Sequence, residues 1–273
     1  MEEDREALTA LLEEDHAGTL YLRSLVHEHG ISPTAHLAHG RFFGTRRGGK
    51  LCGVAFIGNA RNFTTWGSRD DVSLALDRAL QNPGSPRLFI GPAEHAGLVR
   101  GVFSRTGASP FLDRDQAYYT LLPEALAPLE EIAIRPARAG DLDEVARAHA
   151  AMTEEDLCIA RAQLDMERLR MLSRQRIAQG KIWVVMEEGR LLFKTEESGR
   201  AADGILVGGV FTEPAHRGKG YAARAIATWA RGLFEGGLGM LALHVNAANT
   251  PALRAYERVG FRRHSMLRLM LAY

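Results

Sequence analysis

Between residues 208 and 230 the chain reads GGVFTEPAHRGKGYAARAIATWA: an apolar strand, a turn with glycine at 218 and 220, and at once an alanine-rich helix. A helix that starts so abruptly leaves several backbone N–H groups unpaired. With the positive end of the helix dipole they converge on one point. Gly218 and Gly220 let the backbone turn tightly and approach an anion with no Cβ in the way. A diphosphate suits that arrangement, and Arg217 and Lys219 add positive charge beside it. The spacing is not that of a P-loop, which needs G-x-x-x-x-G-K and a hydroxyl, nor of the dinucleotide fingerprint G-x-G-x-x-G.

One helix and one strand further on comes LHVNAANTPALRAYERVGF, with Asn249, Ala252, Tyr256, Gly260 and Phe261 at set intervals. The turn Arg217-Gly218-Lys219-Gly220-Tyr221-Ala222 fits the pattern Q/R-x-x-G-x-G/A, and the later segment fits N-x-x-A-x-x-x-Y-x-x-x-G-F. Together they resemble the GNAT superfamily of acyl-CoA-dependent N-acyltransferases, over residues 132–273. The segments MTEED and FKTEESG are similar to those of two-part bacterial members whose N-terminal half is a degenerate GNAT-like copy without cofactor.

The resemblance implies acetyl-CoA as cosubstrate, no metal, and direct attack by a primary amine through a tetrahedral intermediate. Val210, Phe211 and Thr212 would pair by their backbone with the pantetheine arm, and the amides of Gly218 to Ala222 would hold the diphosphate. Asn249 would touch the cofactor, with Thr250 as N-cap and Pro251 in the first turn of the last helix. Tyr256 would protonate the departing thiolate, a task within reach of a phenol of pKa about 10 facing a thiol near 8.5–9. A strand N–H such as that of Phe211 would stabilise the oxyanion. For the base the candidates are Glu196, Glu154, Glu155 and Asp156, and for each a solvated charge is the plainer reading; His244 reads as a packing histidine. An acyl-CoA-binding regulatory protein without turnover is the alternative, and the intact Tyr256 favours transfer.

The elements that must position these residues are an α/β arrangement with a mixed sheet. In the C-terminal half a short strand at 132–136 precedes a helix capped by Asp141, a second helix over 160–178, and a hairpin of 181–187 and 190–195 turning at Glu188-Gly189. Then come strand 205–212, helix 221–234, strand 241–245, helix 252–259 and strand 261–272. The N-terminal half reads as helices at 3–15, 18–29, 70–81 (stopped by Asn82-Pro83-Gly84) and from 91 to about 105, with strands at 41–45, 51–57, 63–66 and 88–90. Gly48-Gly49-Lys50 suits a hairpin turn and not a phosphate loop. Pro123 and Pro128 mark a boundary between an N-terminal α+β domain, 1–125, and a GNAT domain, 132–273. That division implies that residues 126–273 bind CoA by themselves but work poorly. No internal repeat is evident.

Composition narrows the classes. Of 273 residues 46% are hydrophobic and 25% charged, a balance that suits a water-soluble globular protein, and no apolar run nears the roughly 20 residues of a membrane span. The start, MEEDREALTALLEEDH, is acidic and not a secretory signal. A net charge of +1 with no basic tract gives nucleic acid no electrostatic hold. Cys52 and Cys158 lie far apart and suggest buried reduced thiols in a cytoplasmic protein, and His27, His29, His36 and His39 follow no metal-site pattern. The resemblance implies a small-molecule or peptide amine as acceptor, and a homodimer stays open.

Overall fold

The same succession appears twice along the chain: two helices, three strands, a helix, a strand, a helix and a strand. A computed structural model of the chain describes all residues except Met1, His36, Ala38, residues 82–85 and Cys158. The first copy comprises α1 (Glu2–Glu13), α2 (Leu20–His29), β1 (Gly40–Arg47), β2 (Lys50–Gly58), β3 (Asn62–Gly67), α3 (Arg69–Ala79), β4 (Leu88–Pro92), α4 (Ala96–Arg105) and β5 (Pro110–Leu121). After the short β6 (Arg135–Pro136) follow α5 (Leu142–Leu157), α6 (Met166–Ala178), β7 (Ile182–Glu187), β8 (Arg190–Arg200), β9 (Gly204–Thr212), α7 (Tyr221–Glu235), β10 (Met240–Asn246), α8 (Thr250–Val259) and β11 (Arg262–Ala272).

All described strands join one mixed sheet in the order β1-β2-β3-β4-β11-β5-β10-β9-β8-β7-β6. The order is nearly palindromic about its centre, where each copy's last strand sits among the other's. β5 lies between β10 and β11, antiparallel to both, and β11 lies between β4 and β5. The boundary expected at residues 123–131 therefore separates two copies of an element order but not two sheets. A fragment from 126 onward lacks the strand between β10 and β11.

Most elements match the sequence reading within a few residues, and the hairpins turn at Gly48-Gly49 and Glu188-Gly189 as expected. The exceptions have local causes. Gly91 and Pro92 end β4 instead of starting a helix, α6 begins only after its Asp165 cap, and β8 runs on to Arg200. Asp141 closes back on the Arg138 N–H and pairs with Arg135 at 2.7 and 3.0 Å, ahead of α5. β5 was not expected at all. The stops at Asn82, Pro83 and Gly84, with His36 and Cys158, fall outside the described residues, and Cys52 is half-buried, not buried.

Two cores flank the C-terminal half of the sheet. On one face α7 and α8 bring Ile226, Trp229, Tyr256 and Val259 onto Leu121, Ile205, Leu241 and Leu243. On the other, α5 and α6 cover Ile182, Val184 and Phe211, while Leu20 at the start of α2 packs on Leu206, Met240, Ala242 and Tyr118. Successive strand residues point to opposite faces. The pattern thus places Leu241, Leu243 and Val245 toward α7 and α8, and Met240, Ala242 and His244 away from them.

Candidate active site

β9 and β10 run parallel only from Gly204↔Met240 to Val207↔Leu243 and then part. The gap belongs to a cleft of about 760 Å³ that passes the starts of α7 and α8 and reaches the end of α5. Val210, Phe211, Thr212, Arg217, Gly218, Gly220, Tyr221, Ala222, Asn249 and Tyr256 all line it; Lys219 does not. Gly220, with φ +82°, forms the N-terminus of α7 and supplies no side-chain cap. A Cβ at Gly218 would meet nothing within 4 Å, so the turn opens onto free space. Unsatisfied amides at a helix start beside a splayed strand pair fit the phosphates and extended arm of a CoA thioester.

Several expected roles need correction. The Arg217 guanidinium is taken by Glu155 at 2.9 and 2.8 Å and by the Thr212 carbonyl at 3.0 Å, so it braces the loop. Arg254 and Arg258 on α8, one turn apart, line the cleft instead, and neither forms an ion pair among the described residues. Asn249, not Thr250, caps α8, its Oδ1 accepting from the Ala252 N–H at 3.2 Å. The Glu213 N–H donates to the Leu192 carbonyl at 2.9 Å, and Lys194 stands opposite Phe211. Strand alternation then turns the Phe211 N–H into β8 and leaves Val210 and Thr212 to face the cleft.

Tyr256 is 6% exposed, packed edge-on to Phe261 at 5.8 Å, and its hydroxyl has no hydrogen-bond partner among the described residues. Burial, and less strongly the Asp156 charge, raises its pKa above the phenol range, so it stays protonated. Asp156 and His244 are both exposed to the cleft by surface area, with protein atoms crowded around each. Desolvation raises the Asp156 carboxyl; desolvation, then the Arg114 charge, pushes His244 down to about 4. His244 is therefore a neutral imidazole in the cleft and not a packing residue. His216 also lines the cleft, its Nδ1 buried without a partner.

Glu196 departs most from expectation. It is no solvated charge: only 3% exposed, it pairs with the fully buried Lys194 and lies 2.8 Å from the Arg176 guanidinium and 3.2 Å from the His149 ring. Gly209 lets the strand pass, since a Cβ there would sit 2.4 Å from the Glu196 carboxylate. Against the cost of burial, Lys194 first, then His149 and Arg176, hold Glu196 down to about 2, which makes it a poor base. Glu196→Gln strands the Lys194 ammonium and should cost about 3–5 kcal/mol in urea unfolding at pH 7. Both pKa values here are depressed, so the unfolded state binds more protons. Stability from His149 is lost as pH falls from 6.5 toward about 4, and that from Glu196 from 4.5 toward about 2. The variant should lose the lower limb. A flat comparison at pH 7 would mean that Lys194 finds water.

Among the described residues no helix is long and apolar enough to cross a membrane, and no group of His, Cys, Asp and Glu is arranged to hold a metal. Residues 150–261 match the model of the acetyltransferase (GNAT) family. Solved structures similar in fold include a Drosophila protein, at 15% identity and TM-score 0.71, covering 100% of this chain and 96% of that one. A GCN5-related N-acetyltransferase from Kribbella flavida shares 16% identity at TM-score 0.57, covering 94% of each chain. A tandem GNAT protein from the clavulanic acid biosynthesis pathway shares 16% at TM-score 0.53, covering 99% of this chain and 94% of that one. No curated protein matches the sequence.

Proposed function

Because the chain belongs to the GNAT superfamily through its C-terminal half, we propose that it transfers an acetyl group from acetyl-CoA to a primary amine. The observation that carries this reading is the uncapped start of α7, opening onto a cleft that also receives the Tyr256 ring. Amides of residues 218–222 hold the diphosphate, and Arg254 and Arg258 neutralise part of its charge. The cleft-facing backbone of Val210 and Thr212 takes the pantetheine arm, and the Val210 N–H is the donor best aimed at a developing oxyanion.

Asp156, with its basicity raised by desolvation, draws in the ammonium and takes its proton; the neutral His244 accepts a hydrogen bond from the resulting amine. Tyr256 keeps its proton until the sulfur leaves and then donates it. Tyr256→Phe keeps the ring and removes that donor. Turnover should fall at least ~10-fold with CoA affinity unchanged. Free-thiol release with an amine panel measures this and separates transfer from CoA binding without turnover. A variant rate equal to wild type across pH 7–9 would remove the acid role.

A further inference from the structure

β5 comes from the N-terminal half, yet two of its side chains, Arg114 and Gln116, line the cleft of the C-terminal half. They alternate with Asp113 and Asp115, and Arg268 on β11 binds both of these acids, at 2.6 Å for Asp115. Arg100 holds Asp113 as well, at 2.8 Å. The acids nearest in sequence are thus engaged on the opposite face. Arg114 makes no ion pair among the described residues, and its Nε is buried without a hydrogen-bond partner. Gln116 is 2% exposed, and its Nε2 is likewise buried and unpartnered. Buried donors without acceptors are rare, because each loses its water and gains nothing.

Register fixes where these donors point. Gln116 stands opposite Asn246 and Tyr118 opposite His244 on β10, and Tyr118 packs with Ala242 and Met240 on the face turned from α7. Arg114 and Gln116 share that face, with His244, and Asp156 reaches the same cleft from α5. The helix that the diphosphate turn starts, α7, packs on the opposite face.

We infer that Arg114 and Gln116 bind a carboxylate carried by the acceptor itself, so that the acceptor is an amino acid with its amine toward Asp156 and His244. A carboxylate only accepts hydrogen bonds, and its two oxygens match the fork of a guanidinium with an amide donor beside it. The inference rests on the acyltransferase reading for its choice of an amine. It also gives the N-terminal half a direct part in the acceptor site, through one strand.

The test uses the full-length protein and matched pairs, each amino acid beside its carboxamide, with free-thiol release as the readout. Free acids should be preferred roughly 10- to 100-fold in kcat/KM, the range of a charged hydrogen bond. R114Q should erase the preference by raising KM for the acids, R114K should recover part of it, and CoA titration should be unaltered. Equal use of acids and amides by the wild type overturns the inference, as does an R114Q variant that loses CoA affinity or loses both substrates alike. Calorimetry of the same amino acids on the CoA-loaded protein reads the carboxylate site without turnover. Binding that depends on Arg114 with no thiol released would keep the clamp and remove the transfer reading. Thiol release indifferent to the carboxylate would do the reverse.

Discussion

Gly220→Glu should abolish binding of CoA while leaving the protein folded. Residue 220 has φ +82°, a conformation that costs a side-chain-bearing residue roughly 1–2 kcal/mol and no more. A Cβ there meets only the Arg258 guanidinium, at 3.8 Å, so the fold has room for it. The ligand has none. The new carboxylate would lie at the mouth of the α7 amides, where the proposed function seats the diphosphate, and would be within reach of the Arg258 cation. Both effects oppose binding, and an affinity loss of at least ~100-fold, about 2.7 kcal/mol, is the expected result by calorimetric titration. Gly220→Ala separates the causes, since it carries the backbone strain without the charge and should lose far less. A folded Gly220→Glu protein that titrates normally would show that phosphate does not bind at this turn.

The same loop shows how far local pattern reaches. Its glycines, the helix after it and the register of Tyr256 were readable because each is set by neighbours a few residues away. Arg217 was misjudged because its partner, Glu155, stands 62 residues earlier in the chain. Arg254 and Arg258 were overlooked because an arginine pair on a helix ordinarily faces solvent. Glu196 looked like a surface acid. Lys194, two residues before it on the same face of β8, is the signal that was available, since a strand that buries one charge has to bury its partner. The matching junction in the N-terminal half is instructive. β3 and β4 also pair only at Asn62↔Leu88 and Phe63↔Phe89, but there Ser68 accepts from the Asp71 N–H at 3.3 Å and Asp70 and Asp71 fill the first turn of α3. Those groups would repel a phosphate, whereas the start of α7 has no side-chain cap and no acid in its first turn.

β5 escaped the sequence reading because its centre, Asp-Arg-Asp-Gln, carries the charge of a loop. Only the fold reveals that one set of these residues pairs with Arg268 and Arg100 and the other lines the cleft. The consequence for the boundary at residue 125 is large. β11 pairs with β4 and β5, both N-terminal, so fragment 126–273 leaves it with neither neighbour. The fragment also loses Ala117, Tyr119 and Leu121 from the core that holds Trp229, Tyr256 and Phe261, and Leu20 from Leu206 and Met240. Full burial of a large apolar side chain stabilises by roughly 1.5–3 kcal/mol, and whole domains rest on about 5–15. Removing several such side chains with three strand pairings exceeds that margin. Fragment 126–273 should therefore show no cooperative urea transition and no CoA titration, whereas 108–273, which keeps β5 between β10 and β11, should regain a transition. A cooperatively folded 126–273 that binds CoA would mean that β11 can close onto β10 directly, and that the exchange of strands between the two halves is not what holds the acyltransferase half together.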